Sequence, residues 1–203
     1  VDYIISQGLK IQGCLEGSPE WVAPIEAELP DEHFPDYILF IRTCVARYKG
    51  KVDYWIVWNE PGDPLGWSRG FATYAPLLIQ AYPAIKKENP HAVVSIGGLN
   101  HPSGIESVGE LVDLGLAPYT DMMNFHTYTG DNLVALVDNV LNLVDSTPDL
   151  RGKPIWVTEV GYNIAGRFPD EPARSEEGQA TYLVNTMSYL KSRGIDMAAW
   201  WHL

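Results

Sequence analysis

Cysteine is scarce in this sequence of 203 residues: there are two, Cys14 and Cys44. Cys14 falls in an expected strand and Cys44 in an expected helix. That reads as two free, buried thiols, since a bridge would need their Cα atoms within about 7 Å. No stretch of about 18 apolar residues occurs, so no membrane-spanning helix is expected. Basic residues are also few, 14 Lys and Arg against 26 Asp and Glu, for a net charge of −12. Such a surface argues against nucleic acid and anionic membranes as partners. No Asn-X-Ser/Thr glycosylation signal is present. The glycine-rich dinucleotide pattern G-x-G-x-x-G is absent, and the Gly97-Gly98 pair is read as a point of close backbone approach. The five histidines are scattered, with neither H-x-H nor H-E-x-x-H spacing, so metal catalysis fits poorly.

What the chain has in quantity is aromatic and apolar material, with seven Trp, eleven Tyr and 46% hydrophobic residues. Its length suits one well-buried domain. Strand and helix patterns alternate along it. Val1 to Gly8 reads as the tail of a helix, Leu9 to Leu15 as a strand, and Asp31 to Tyr48 as a helix with Asp31 as its cap. Val52 to Asn59 reads as a strand and Phe71 to Glu88 as a helix. Ala92 to Gly98 is a third strand, followed by the loop Asn100 to Gly104 and a helix from Ile105 to Leu116. Asp121 to Tyr128 is a strand, and Asn132 to Val144 a strongly apolar helix. Pro154 to Val160 is a strand, and Asn163 to Arg174 a long loop able to shape a binding surface. A helix capped by Ser175 runs to about Arg193, and a last strand starts at Asp196 and reaches His202. Six strands alternating with helices predict a mostly parallel sheet with right-handed crossovers.

Two of these strands share a form. Tyr54 to Trp58 is apolar and is followed by Asn59, Glu60 and Pro61, and Pro61 has no N–H to continue a ladder. Pro154 to Val157 is apolar and is followed by Thr158, Glu159, Val160 and Gly161. A carboxylate at the mouth of an apolar strand is costly unless solvent or a ligand meets it. If both strands belong to one parallel barrel, both carboxylates open on the same face. Two facing carboxylates are the equipment for glycoside hydrolysis. Taken singly, each Glu would read as a strand-end residue in a surface ion pair; the pairing of the two motifs is what favours chemistry. His126 and Tyr128 sit two apart, so period-2 alternation puts them on one face.

Trp58-Asn59-Glu60-Pro61 resembles the fourth-strand signature of the large (β/α)8 glycoside hydrolase clan that includes cellulases, β-galactosidases and β-xylosidases. Phe125-His126-Thr127-Tyr128 resembles its sixth-strand motif, and Thr158-Glu159-Val160-Gly161-Tyr162 its seventh-strand nucleophile motif. The three occur in the clan's order. The resemblance implies a TIM (β/α)8 barrel of which this chain holds strands three to eight, a single catalytic domain over residues 1–203. The first two strands, and the clan's nucleophile-holding Arg on the second, would lie outside it. It implies a retaining O-glycoside hydrolase with Glu60 as acid/base, Glu159 as nucleophile, a carbohydrate substrate and no cofactor. Tyr128 would hold the nucleophile, and Asn59 would bind the sugar 2-hydroxyl. Trp200, in preference to Trp201, would floor the subsite where the bond breaks. His126 would bind a sugar hydroxyl, position a carboxylate or serve as a satisfied core histidine. Trp21 would stack on a sugar or pack its own loop. A non-catalytic carbohydrate-binding protein or an inactive barrel fragment is the alternative, and a transglycosylase would use the same residues.

Overall fold

The computed structural model describes residues 1–99, 104–128, 132–162 and 175–201. The expected loops over 100–104 and 163–174, and the His202 end of the last strand, fall wholly or partly outside these ranges. Six helices and six strands alternate: α1 (Asp2–Ser6), β1 (Gln12–Leu15), α2 (Phe34–Arg47), β2 (Tyr54–Val57), α3 (Phe71–Glu88), β3 (Val93–Ile96), α4 (Gly104–Asp113), β4 (Met123–Tyr128), α5 (Leu133–Ser146), β5 (Ile155–Gly161), α6 (Glu176–Ser192) and β6 (Met197–Trp200). All strand pairings are parallel, and neighbours in space are neighbours in sequence, β1-β2-β3 and β4-β5-β6. Sequential order among parallel strands, each joined to the next through a helix, is the winding of a barrel, as distinct from a doubly wound sheet.

The two ladders meet at β3 and β4 through single bridges, Ser95 with Met122 and Leu99 with Phe125. Side chains stitch this seam. Asp121 donates its N–H to the Val94 carbonyl at 2.7 Å, and its Oδ2 accepts the Val94 N–H at 2.8 Å. Thr120 Oγ1 accepts the Ile96 N–H at 3.2 Å. The same device recurs at the start of β6, where Asp196 Oδ2 accepts the Ile155 N–H at 2.9 Å. The sheet curls strongly. The rings of Tyr54 on β2 and Trp156 on β5 lie 4.8 Å apart although their strands are not neighbours.

The outer face of the sheet carries Val57, Val94, Ile96, Phe125, Val157 and Val160, and these join one cluster with buried side chains of the helices, including Ile41, Leu78, Val140 and Leu190. Fully burying one such side chain is worth about 1.5–3 kcal/mol, so this layer is the main source of stability. Asn132 caps α5, accepting the Ala135 N–H at 3.2 Å, and Ser175 caps α6 through the Gly178 N–H at 3.0 Å.

Three expectations need correction. Asp31 is not a cap: it opens a single 3₁₀ turn ahead of α2, and its carboxylate pairs with Arg69 at 2.6 Å. β2 stops at Val57, short of Asn59, because Trp58 turns left-handed with φ 67°. The thiols are free, but Cys14 is exposed on β1 and Cys44 only half-buried, so neither is a core residue.

Asp121 generates a test of the seam. Burial pushes its carboxyl up, but Lys86 at 2.6 Å, the Val94 N–H and the Tyr82 hydroxyl outweigh that and hold it below the usual carboxylate range. Asp121→Ala strands the Val94 N–H and is expected to lower stability in urea unfolding by about 1–3 kcal/mol at neutral pH. A lowered carboxyl stabilises above the ordinary value of about 4 and ceases to as pH falls through its folded value. The gap between wild type and Asp121→Ala should therefore close in acid.

Candidate active site

Glu60 and Glu159 arrive from strands that are not paired with each other, β2 and β5, and meet across the C-terminal mouth of the sheet. After β2 the backbone departs from extended geometry at two non-glycine residues, Trp58 with φ 67° and Glu60 with φ 44°. Such conformations cost on the order of 1–3 kcal/mol each and collect at functional sites. The Trp58 ring anchors the turn. It is buried edge-on against Trp67 at 4.8 Å, and its Nε1 donates to the Gly66 carbonyl at 2.6 Å. With that ring in the core, the Glu60 side chain is left half-buried at the mouth.

β5 reaches the same place by a different device. Phe125 pairs with Val157 but His126 pairs with Glu159, so Thr158 is an extra residue in β5. The pairing with β6 slips at the same point. A β-bulge of this kind lets two consecutive side chains share a face. Both Thr158 and Glu159 thus point inward, while Val157 and Val160 keep the outer face.

His126 joins the two acids. It is 1% exposed, and its Nδ1 lies 2.8 Å from Glu60 Oε1 and 3.6 Å from Glu159 Oε2. One ligand atom each from Glu60, His126 and Glu159 lie within 4.8 Å of one another. That spacing would also suit a divalent cation, but the cluster's own hydrogen bonds account for its geometry. Tyr128 O–H donates to Glu159 Oε2. His126 Nε2 is 3.0 Å from Thr158 Oγ1, and the Thr158 hydroxyl donates in turn to Asn124 Oδ1. The expectation that His126 and Tyr128 share a face is met, because both reach Glu159.

Glycines make room for this arrangement. A Cβ on Gly98 would stand 1.9 Å from His126 Nε2, and one on Gly97 would stand 2.6 Å from Pro61 Cδ. The close approach expected at this pair is therefore an approach of the β3 end to the His126 ring and to the turn carrying Glu60.

The other expected residues are less concentrated. Asn59 is half-buried beside Glu60. Trp21 lies on the loop after β1 and is 77% exposed, with an edge-on contact to His33 at 6.5 Å. Trp200 does not face the axis. It pairs with Val160, whose side chain is on the outer face, and its ring lies 6.2 Å from Tyr182 on α6. The opposite parity belongs to Trp201, which is 47% exposed at the strand end. Sequence reading missed Asn124 and gave Thr158 no role. The available signal was a second polar residue within two positions of a motif residue, Asn124 two before His126 and Thr158 next to Glu159.

Comparison with known proteins gives the family and the fold. A family model described as glycosyl hydrolase catalytic core matches residues 45–202. No curated protein matches. Among solved structures, a family 39 glycoside hydrolase from the gut symbiont Bacteroides cellulosilyticus WH2 superposes with TM-score 0.77 at 20% identity, over 98% of this chain and 44% of that one. A monomeric β-xylosidase from Caulobacter crescentus CB15 gives 0.74 at 17% identity, over 98% and 46%. Fungal β-1,4-galactanases give 0.70 at 19% identity, over 98% and 69%. The chain spans less than half the length of the first two. At such identities the likeness establishes the fold, an α/β architecture of the TIM-barrel type.

The tight seat of His126 is testable. Gly98→Ala is expected to displace the ring and, as overpacking, to lower stability by about 1–3 kcal/mol. Urea unfolding and the histidine NMR signals read both effects, and unchanged His126 signals would contradict the close approach.

Proposed function

The chain belongs to the glycosyl hydrolase catalytic core family, and from that premise we propose that it carries the catalytic pair of a retaining β-glycoside hydrolase. The observation that carries this reading is the mutual approach of Glu60 and Glu159, with atoms of both and of His126 within 4.8 Å of one another. Retaining enzymes hold their two carboxyl groups about 5–5.5 Å apart, whereas inverting enzymes need about 6.5–9.5 Å to admit a water molecule. The approach favours retention.

In this mechanism Glu159 attacks the anomeric carbon while Glu60 protonates the departing glycosidic oxygen. The glycosyl group is then bound covalently to Glu159. Glu60, now a carboxylate, takes a proton from an incoming water, which releases the sugar with its configuration retained. Tyr128 supports the ionised nucleophile by donating to Oε2. Asn59, adjacent to the acid/base, binds the sugar 2-hydroxyl, and exposed Trp21 offers a stacking face. Trp200 is not assigned to the sugar floor, since its ring packs toward α6. A net charge of −12 suits neutral glycans better than acidic ones. The neighbours described as a xylosidase and galactanases make β-xylosides and β-galactosides the first substrates to try.

The experiment is hydrolysis of aryl β-glycosides by the full-length protein, with Glu159→Ala and Glu60→Ala beside it. Glu159→Ala is expected to be inactive until azide restores a product of inverted configuration. Glu60→Ala is expected to lose roughly 10²–10⁴-fold on substrates with poor leaving groups, the usual worth of general acid catalysis. Sugar binding without turnover in the wild type would instead support a carbohydrate-binding protein.

A further inference from the structure

A glycosidase acid must hold a proton in the resting state and recover one in every cycle. The residues beneath Glu60 fix where that proton can be. A threonine hydroxyl has one proton to donate, and that of Thr158 goes to Asn124 Oδ1. Toward His126 Nε2, 3.0 Å away, Thr158 Oγ1 can then only accept. With Asn124 Oδ1 turned toward Thr158, as it is here, Nε2 carries a hydrogen. Nδ1 is left facing Glu60 Oε1 at 2.8 Å, a contact that needs one proton on either partner. Asn124 and His126 are both buried, so water does not compete for these positions. The charged groups facing the ring are Glu60 and, at 3.6 Å, Glu159. Just past β3 the ring meets Gly98, which has no side chain.

We infer that Thr158, oriented by Asn124, is a positioning residue that sets the tautomer of His126, so that the acid/base Glu60 shares its proton with His126 Nδ1. This inference rests on the catalytic role proposed for Glu60. When the shared proton passes to the glycosidic oxygen, a carboxylate faces a nitrogen lone pair across 2.8 Å. That contact is unfavourable without a proton, so it drives Glu60 to reclaim one from the incoming water. The proton count closes over the cycle: one leaves with the aglycone and one returns from water. Both Thr158 and Glu159 take part only because the bulge in β5 turns both inward.

Two readouts test the inference in the full-length protein. The first is ¹⁵N NMR of His126 in the resting state. Wild type is expected to show a protonated, slowly exchanging Nε2. Thr158→Val, which keeps the shape and loses the hydroxyl, is expected to shift the tautomer, and Thr158→Ser to restore it. The second is kcat/KM across leaving groups. The loss in Thr158→Val should be larger on poor leaving groups than on activated aryl glycosides by at least about tenfold, since only the former need the acid. An unprotonated Nε2 in wild type overturns the inference. So does an equal loss on all leaving groups, which is what a merely structural role produces. If the wild type cleaves no glycoside, the proposed function fails, and the NMR result alone decides the tautomer.

Discussion

The site depends on one extra residue in β5. Along a regular strand, consecutive side chains point to opposite faces. Thr158 and Glu159 could then not both serve the mouth of the barrel. The bulge breaks that rule once, and everything in the cluster follows from it. Glu159 meets Tyr128 and His126, while Thr158 meets His126 and Asn124. In an unbulged β5 with Thr158 inward, Glu159 would be driven into the Val157 and Val160 layer. There a carboxylate would be desolvated among apolar helix side chains, at a cost of several kcal/mol.

Glu60 needs a comparable departure, and there the magnitudes can be compared. Two left-handed residues cost on the order of 1–3 kcal/mol each. Burying the Trp58 ring removes about 150–250 Å² from water, which at about 25 cal/mol per Å² is worth roughly 4–6 kcal/mol. The aromatic cluster of Tyr37, Trp58 and Trp67 can therefore hold the turn in a conformation its backbone would not choose. The anchoring tryptophan of the motif and the glutamate two residues on are two halves of one device.

The alternation of strands and helices, the limits of α3, the cap at Ser175 and the shared face of His126 and Tyr128 were all legible in the sequence, because each follows from local periodicity or local hydrogen bonding. What was not legible are the departures from periodicity. Alternation cannot announce a bulge, so Thr158 received no role. It cannot foresee φ 67° at a tryptophan, so β2 was drawn two residues too long. Trp200 was preferred to Trp201 for the sugar floor, but the register with Val160 turns it toward α6. Asp31 matched a cap by type, yet Arg69, 38 positions along the chain, claims its carboxylate. Asp121 and Asp196 act through pairings across strands, which no local pattern encodes.

The polar network is also graded with depth. Tyr54 and Trp156 fill the interior of the curl with aromatic surface. Asn124 pairs with Trp156 in the ladder and is fully buried, Thr158 and His126 come next, and the two carboxylates stand at the solvent edge. In a low-dielectric setting a hydrogen bond is strong when made and expensive when missing. Both ring nitrogens of His126 have partners, so the ring is fixed from below by neutral groups and faces charge only above. A histidine held this way cannot turn to suit either acid. The neutral residues at the bottom of the site, Asn124 and Thr158, therefore fix the orientation of the ring that the two carboxylates face at its mouth.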